Sequence, residues 1–186
     1  MKLVRRILLA IIIVNGPILF AQTHDFSRSS MKYSVEIGMA QGFGSTGIGG
    51  LLSMGYVHEF WNNRLRLIPN LSVGYFESQR GDELGLGFRV VDMETIVSYD
   101  WWRKRSVSLM IGVGGFVNNT KGMYRKNDNP NGSGFFREWH AGAVLAGGLR
   151  INPLGSRFTF EISPLNLYVG YSYFQFLPKV GLEVKL

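Results

Sequence analysis

The chain has 186 residues, with 20 Lys+Arg against 13 Asp+Glu for a formal net charge of +7, 24 glycines and no cysteine. That length accommodates one domain, and zero cysteine excludes a disulfide scaffold, a thiolate metal site, a cysteine nucleophile and a lipidated N-terminal cysteine. Aromatic residues at 13%, together with the abundant glycine, exclude a disordered tail or a coiled coil.

Lys2, Arg5 and Arg6 precede an unbroken apolar run from Ile7 to Val14; Asn15-Gly16-Pro17 interrupts it, and Ile18-Leu19-Phe20-Ala21 leads to Gln22. This is the three-part layout of an export signal, too short to span a bilayer, so residues 1–21 read as a cleaved signal peptide and 22–186 as the folded domain. Removing three bases and no acids leaves the mature chain at +4. Its densest basic run, Arg103-Lys104-Arg105, is too short for a nucleic-acid stripe, and beside Trp101-Trp102 it reads as an interfacial anchor, so no nucleic-acid partner is expected.

The mature chain is dominated by period-two alternation, the pattern of strands whose successive side chains take opposite faces. Eight segments carry it, at 33–40, 52–57, 65–75, 91–99, 106–114, 138–151, 157–169 and 180–186. The seventh changes parity at Ser163-Pro164, which predicts a β-bulge there, because proline cannot donate to the ladder. Turns after the second, fourth and sixth segments are short: Trp61 to Arg64, Asp100 to Arg105 and Asn152 to Ser156. Those after the first, third and fifth are longer and polar: Gln41 to Gly47, Glu77 to Gly85 and Asn118 to Gly134. The final link, Ser172 to Pro178, is aromatic.

Eight strands of roughly 11 residues, the length that crosses a bilayer, leave enough chain for these connections. One face of each strand is aliphatic or aromatic at mid-strand; the other collects charges, glycine and serine. Turning the apolar face outward into lipid resolves that pattern, whereas a water-soluble barrel would expose the charges. Aromatics gather at the strand ends: Phe60, Trp61, Tyr99, Trp101, Trp102, Phe158 and Phe160 at the short-turn end, and Tyr75, Phe76, Phe135, Phe136, Trp139, Tyr171, Tyr173 and Phe174 at the loop end. Two such girdles suit a membrane barrel, with Trp61, Tyr99, Trp101, Trp102 and Trp139 as interfacial anchors. The predicted fold class is all-β, an eight-stranded antiparallel up-and-down transmembrane β-barrel.

The export signal ending Phe20-Ala21-Gln22, the alternation from Tyr33 to Leu186 and the terminal Val180-Gly181-Leu182-Glu183-Val184-Lys185-Leu186 resemble the small outer-membrane β-barrel proteins of the OmpA/OmpX type. The resemblance implies a Gram-negative outer membrane, short periplasmic turns, surface loops, and insertion by the barrel-assembly machinery. Leu186 departs from the aromatic residue that commonly ends such chains.

The inward face is expected to carry a polar network of Glu36, Arg66, Asp92, Glu94, Glu138, His140, Arg150, Arg157, Glu161, Glu183 and Lys185. Since eight strands enclose room only for side chains, the network predicts a salt-bridged plug and not a pore. Membrane lipids and lipopolysaccharide are the expected partners; a surface protein could also meet the loop after the fifth segment, whose Lys121, Arg125 and Lys126 are contact candidates. Glu138 and His140 share a face but no serine is tied to them by spacing, so no catalytic, cofactor or metal residues are assigned from His24, His58 or His140. Asn127, Asn129, Asn131, Gly132 and Glu138 match a calcium-loop spacing by chance, lacking the first Asp and the flanking helices. The expected role is structural or surface-interacting. The alternative is a barrel enzyme modifying lipid A or phospholipid, and the third reading is a secreted soluble β-barrel that binds an apolar ligand.

Overall fold

A computed structural model describes residues 29–42, 45–61, 63–78, 87–125, 133–152 and 157–186. The expected signal peptide, His24 and residues 43–44, 79–86 and 126–132 of the expected loops lie outside these residues. Nine strand segments follow in order: β1 (Ser29–Gly42), β2 (Ser45–Phe60), β3 (Leu65–Ser78), β4 (Gly87–Lys104), β5 (Val107–Arg125), β6 (Ser133–Ile151), β7 (Phe158–Gly170), β8 (Tyr173–Phe176) and β9 (Lys179–Lys185). From β1 to β7 each pairs antiparallel with its chain neighbour, and β8 and β9 each pair with β7 on one side and β1 on the other, which closes the ring. β8 and β9 are two halves of one broken stave, so the ring has eight staves. A closed ring pairs every backbone group without exposing an edge, the condition for crossing hydrocarbon with strands.

The break in the eighth stave faces the predicted bulge. Between Gly147–Leu165 and Leu149–Ile162, Ser163 and Pro164 stand opposite Gly148 alone. The bulge returns apolar residues to the outer face: Ile162 and Leu165 are both exposed, while Ser163 and Asn166 are buried. At the same level Leu177-Pro178 interrupts the eighth stave, with Leu177 N donating to Asn166 O (2.9 Å) and Ile37 N donating to Pro178 O (3.1 Å). The Phe176 carbonyl then lies where a Cβ on residue 38 would stand, which only Gly38 permits.

The strands run further than the expected 11 residues. β4 has 18 residues, and β5 and β6 have 19 each. The expected loop Asn118 to Gly134 is therefore mostly strand: pairing continues in register to Arg125–Ser133. Polar residues on both faces conceal this stretch, because alternation disappears once neither face meets hydrocarbon. Likewise Asp100 to Arg105 is not a loop. β4 continues through a bulge between Asp100 and Trp102, so that Trp101 and Trp102 both face outward while Asp100 is buried, and the turn shrinks to Arg105-Ser106 with Arg105 at φ 51°. The expected link Ser172 to Pro178 similarly contains β8.

Candidate functional site: lumen and outer rim

Alternation directs one residue of every pair into the lumen, and the tilt of the strands brings distant sequence positions to the same depth. Among the described residues, four cations (Lys32, Arg66, Arg150, Lys179) and seven carboxylates (Glu36, Glu59, Asp92, Glu94, Asp100, Glu161, Glu183) are buried there. At the short-turn end, Arg66 Nη1 donates to Glu183 Oε1 at 3.2 Å and Nη2 to Asp100 Oδ1 at 3.1 Å, with Glu161 Oε2 3.8 Å away. Arg150 Nη2 donates to Glu59 Oε1 at 2.5 Å and Glu183 Oε2 at 2.7 Å, and Lys32 Nζ donates to Glu161 Oε1 at 2.5 Å. These contacts tie β1, β2, β3, β4, β6, β7 and β9 across the lumen.

At mid-depth Lys179 Nζ lies 2.9 Å from both Glu36 Oε1 and Glu94 Oε1. Tyr168 OH donates to Glu94 Oε2 at 2.7 Å, Ser53 Oγ to Glu36 Oε1 at 2.6 Å and Asn70 Nδ2 to Glu94 Oε1 at 2.8 Å. Burial of such charges is tolerable because each is paired and hydrogen-bonded. Asp92 differs: both its oxygens are buried without a hydrogen-bond donor among the described residues.

Towards the loop end the lumen turns aromatic. Phe76 stacks on Phe88 (centroids 5.4 Å, 14°), Phe116 meets Tyr168 edge-on (5.4 Å, 82°), and Tyr173 lies 5.6 Å from Phe116 and 4.4 Å from the His140 ring. Phe76 and Tyr173 are buried, which removes them from the outer girdle in which their position near strand ends had placed them; Phe136 packs against the same cluster. Strand parity decides this: they share faces with Arg66 and Gln175, which are also buried.

The outer face is the converse. Ile37, Leu52, Met93, Val113 and Val180 are more than half exposed in a band around the barrel, bounded by exposed Trp61, Trp101, Trp102, Phe158 and Phe160 at one end and by Tyr75, Phe135, Trp139, Tyr171 and Phe174 at the other. Apolar residues outside and charges within is the arrangement of a barrel solvated by lipid, which removes the soluble apolar-ligand reading.

No protein-family model matches the sequence, and no curated protein matches it. Solved structures share its architecture, among them the following. Neisserial surface protein A superposes with a TM-score of 0.62 at 11% identity, covering 85% of this chain and 97% of that one. Ail, the attachment invasion locus protein of Yersinia pestis, superposes at 0.54 with 15% identity over 84% of this chain and 95% of its own. Ail in complex with the heparin analogue sucrose octasulfate superposes at 0.50 with 16% identity over the same shares. The chain has the fold of the small eight-stranded outer-membrane β-barrels.

Within this outer-membrane barrel fold the expected network residues take different places. Glu36, Arg66, Asp92, Glu94, Arg150, Glu161 and Glu183 lie in the lumen. Glu138 and His140 stand at the loop-end mouth, half-buried and 3.4 Å apart. Lys185 is half-buried at the opposite end. Arg157, expected inside, is exposed: it precedes the first residue of β7, beyond the rim, where its carbonyl accepts from Lys185 N (2.9 Å). Lys32, Glu59, Asp100 and Lys179 were missed. Each continues the inward parity of an expected strand by one or more steps past its assigned end, so longer strands would have included them.

Trp61, Trp101, Trp102 and Trp139 are exposed at the two ends, and Tyr99 is half-buried 6.4 Å from Trp61. Of the loop contact candidates, Lys121 belongs to β5 with its side chain outward, Arg125 ends that strand, and Lys126 lies outside the described residues. Ser29 Oγ is 3.4 Å from His58 Nδ1 and accepts from Tyr56 OH at 2.6 Å. No carboxylate orients the His58 ring among the described residues, so this pair lacks the third member that activates a nucleophile.

Proposed function

We propose that the chain is an integral outer-membrane protein with a sealed lumen, acting through its lipid-facing surface and outer rim in contact with lipopolysaccharide or a surface partner, and not by conducting solutes or by catalysis. The observation that carries this reading is the ion-pair lattice centred on Arg66 and Arg150, both almost wholly buried and joined to carboxylates from β2, β4 and β9. A barrel of eight strands has no spare lumen once such side chains cross it. An export signal in residues 1–21 and insertion by the barrel-assembly machinery complete the proposal.

The test is current through planar bilayers holding the refolded barrel, with heat-modifiable migration as the check of folding. The wild type gives no steady conductance, and the double variant Arg66→Ala with Arg150→Ala opens one. A large, stable wild-type current defeats the sealed-lumen reading.

A further inference from the structure

The strand register aligns residues that are remote in sequence. Ile37 pairs with Gly50, Gly50 with Tyr75, Tyr75 with Arg89, Arg89 with Lys121 and Lys121 with Arg137, forming one continuous row across six strands. Arg89, Lys121 and Arg137 are exposed on the outer face, just beyond the apolar band: two residues along on the membrane side stand Val91 on β4, the buried Asn119 on β5 and exposed Trp139 on β6. Like charges directly opposite one another destabilise a sheet. Here two such pairs adjoin, and no carboxylate forms an ion pair with any of the three among the described residues. The outward carboxylate nearest in register is Glu77, one pair further out opposite Gly87.

The row does not end at Arg89. Beyond Tyr75, Gly50 presents no side chain outward, and an open groove of about 490 Å³ lies there between Ile37, Leu52, Val73, Tyr75 and Arg89. Its walls are apolar and belong to the band that hydrocarbon covers. A notch for hydrocarbon thus continues directly into three cations with no carboxylate ion pair among the described residues, at headgroup depth.

We propose that this row and notch form a seat for an outer-leaflet lipid bearing two or more phosphates, with the phosphates spread over Arg89, Lys121 and Arg137 and one acyl chain lying over Gly50. The proposal rests on the outer-membrane placement given above. Adjacent strands are about 4.8 Å apart, so the outermost cations are separated by roughly 10 Å, wider than a single phosphate spans. Two guanidinium forks flanking an ammonium suit several phosphate oxygens. Arg137 is held over the Trp139 ring, 5.9 Å from its centroid, and tryptophan marks the headgroup level. A water-soluble protein partner does not account for the notch, which lies within the band.

The probe is fluorescent bis-phosphorylated lipid A, titrated into phosphatidylcholine nanodiscs that carry the full barrel, with energy transfer from the tryptophans as readout. The triple variant R89Q/K121Q/R137Q is expected to weaken binding on the order of 100-fold, about fivefold per charge removed. Ile37→Trp, which fills the notch without altering any charge, weakens it severalfold. Unchanged binding by the triple variant overturns the seat, and so does displacement by inorganic pyrophosphate at the same concentrations, since an anion alone would then fill it. Heat-modifiable migration and outer-membrane fractionation are measured on the same variants. A folded, membrane-embedded triple variant that binds normally defeats the seat alone, whereas a wild type that fractionates as soluble defeats the outer-membrane reading beneath it.

Discussion

The short-turn half of the lumen and its loop-side half are filled by opposite chemistries. Towards the short turns, Arg66 and Arg150 share Asp100 and Glu183, and Arg150 also holds Glu59, in a fixed lattice. Towards the loops, Phe76, Phe88, Phe116 and Tyr173 pack against one another inside the lumen. The halves differ in tolerance. A charged lattice depends on every partner, because one deletion strands several charges in a low-dielectric interior, while a cluster of rings loses only the area and contacts of the ring removed.

The largest effect is therefore expected from Arg66→Met. It keeps volume but leaves Asp100 without its hydrogen-bonding guanidinium and Glu183 with Arg150 alone, and should destabilise the barrel by about 3–5 kcal/mol, measured by guanidinium unfolding in lipid vesicles. A loss below about 1 kcal/mol would place the stability of this half in the backbone ladder instead. Phe116→Ala should follow, at about 3 kcal/mol in the same assay, and is expected to give no steady conductance because the ionic half is left intact. Conductance by that variant, with none from the paired arginine variant, would invert the comparison and make the rings the seal. Asp92→Asn is expected to be smallest, within about 1 kcal/mol of the wild type or stabilising, since it removes a buried charge that has no donor among the described residues. A large loss there would reveal a partner for Asp92 within the lumen.

Much of the architecture was legible because hydrocarbon imposes a period. Wherever one face meets lipid, alternation is strict, so the mid-strand faces and the bulge at Ser163-Pro164 could be read directly. Past the band that constraint lapses. Asn118, Asn119, Thr120 and Lys121 then look like loop although they are strand, and Lys32, Glu59, Asp100 and Lys179 fell outside strands drawn too short. The parity of Phe76 and Tyr173 was available, but nearness to a strand end outweighed it and placed them in the girdle. Trp101 and Trp102 are the reverse case: only the bulge beside Asp100 explains how adjacent tryptophans both reach the outer face.

By itself the order of residues determined the class of object, since a strand's two faces must be sorted between lipid and lumen and the side chains record that sorting locally. Register belongs to tertiary structure. Which carboxylate reaches Arg66, and that Arg89, Lys121 and Arg137 adjoin one another beside the Gly50 notch, depends on how far each strand slides along its neighbour before the ring closes, a quantity set by all eight staves together.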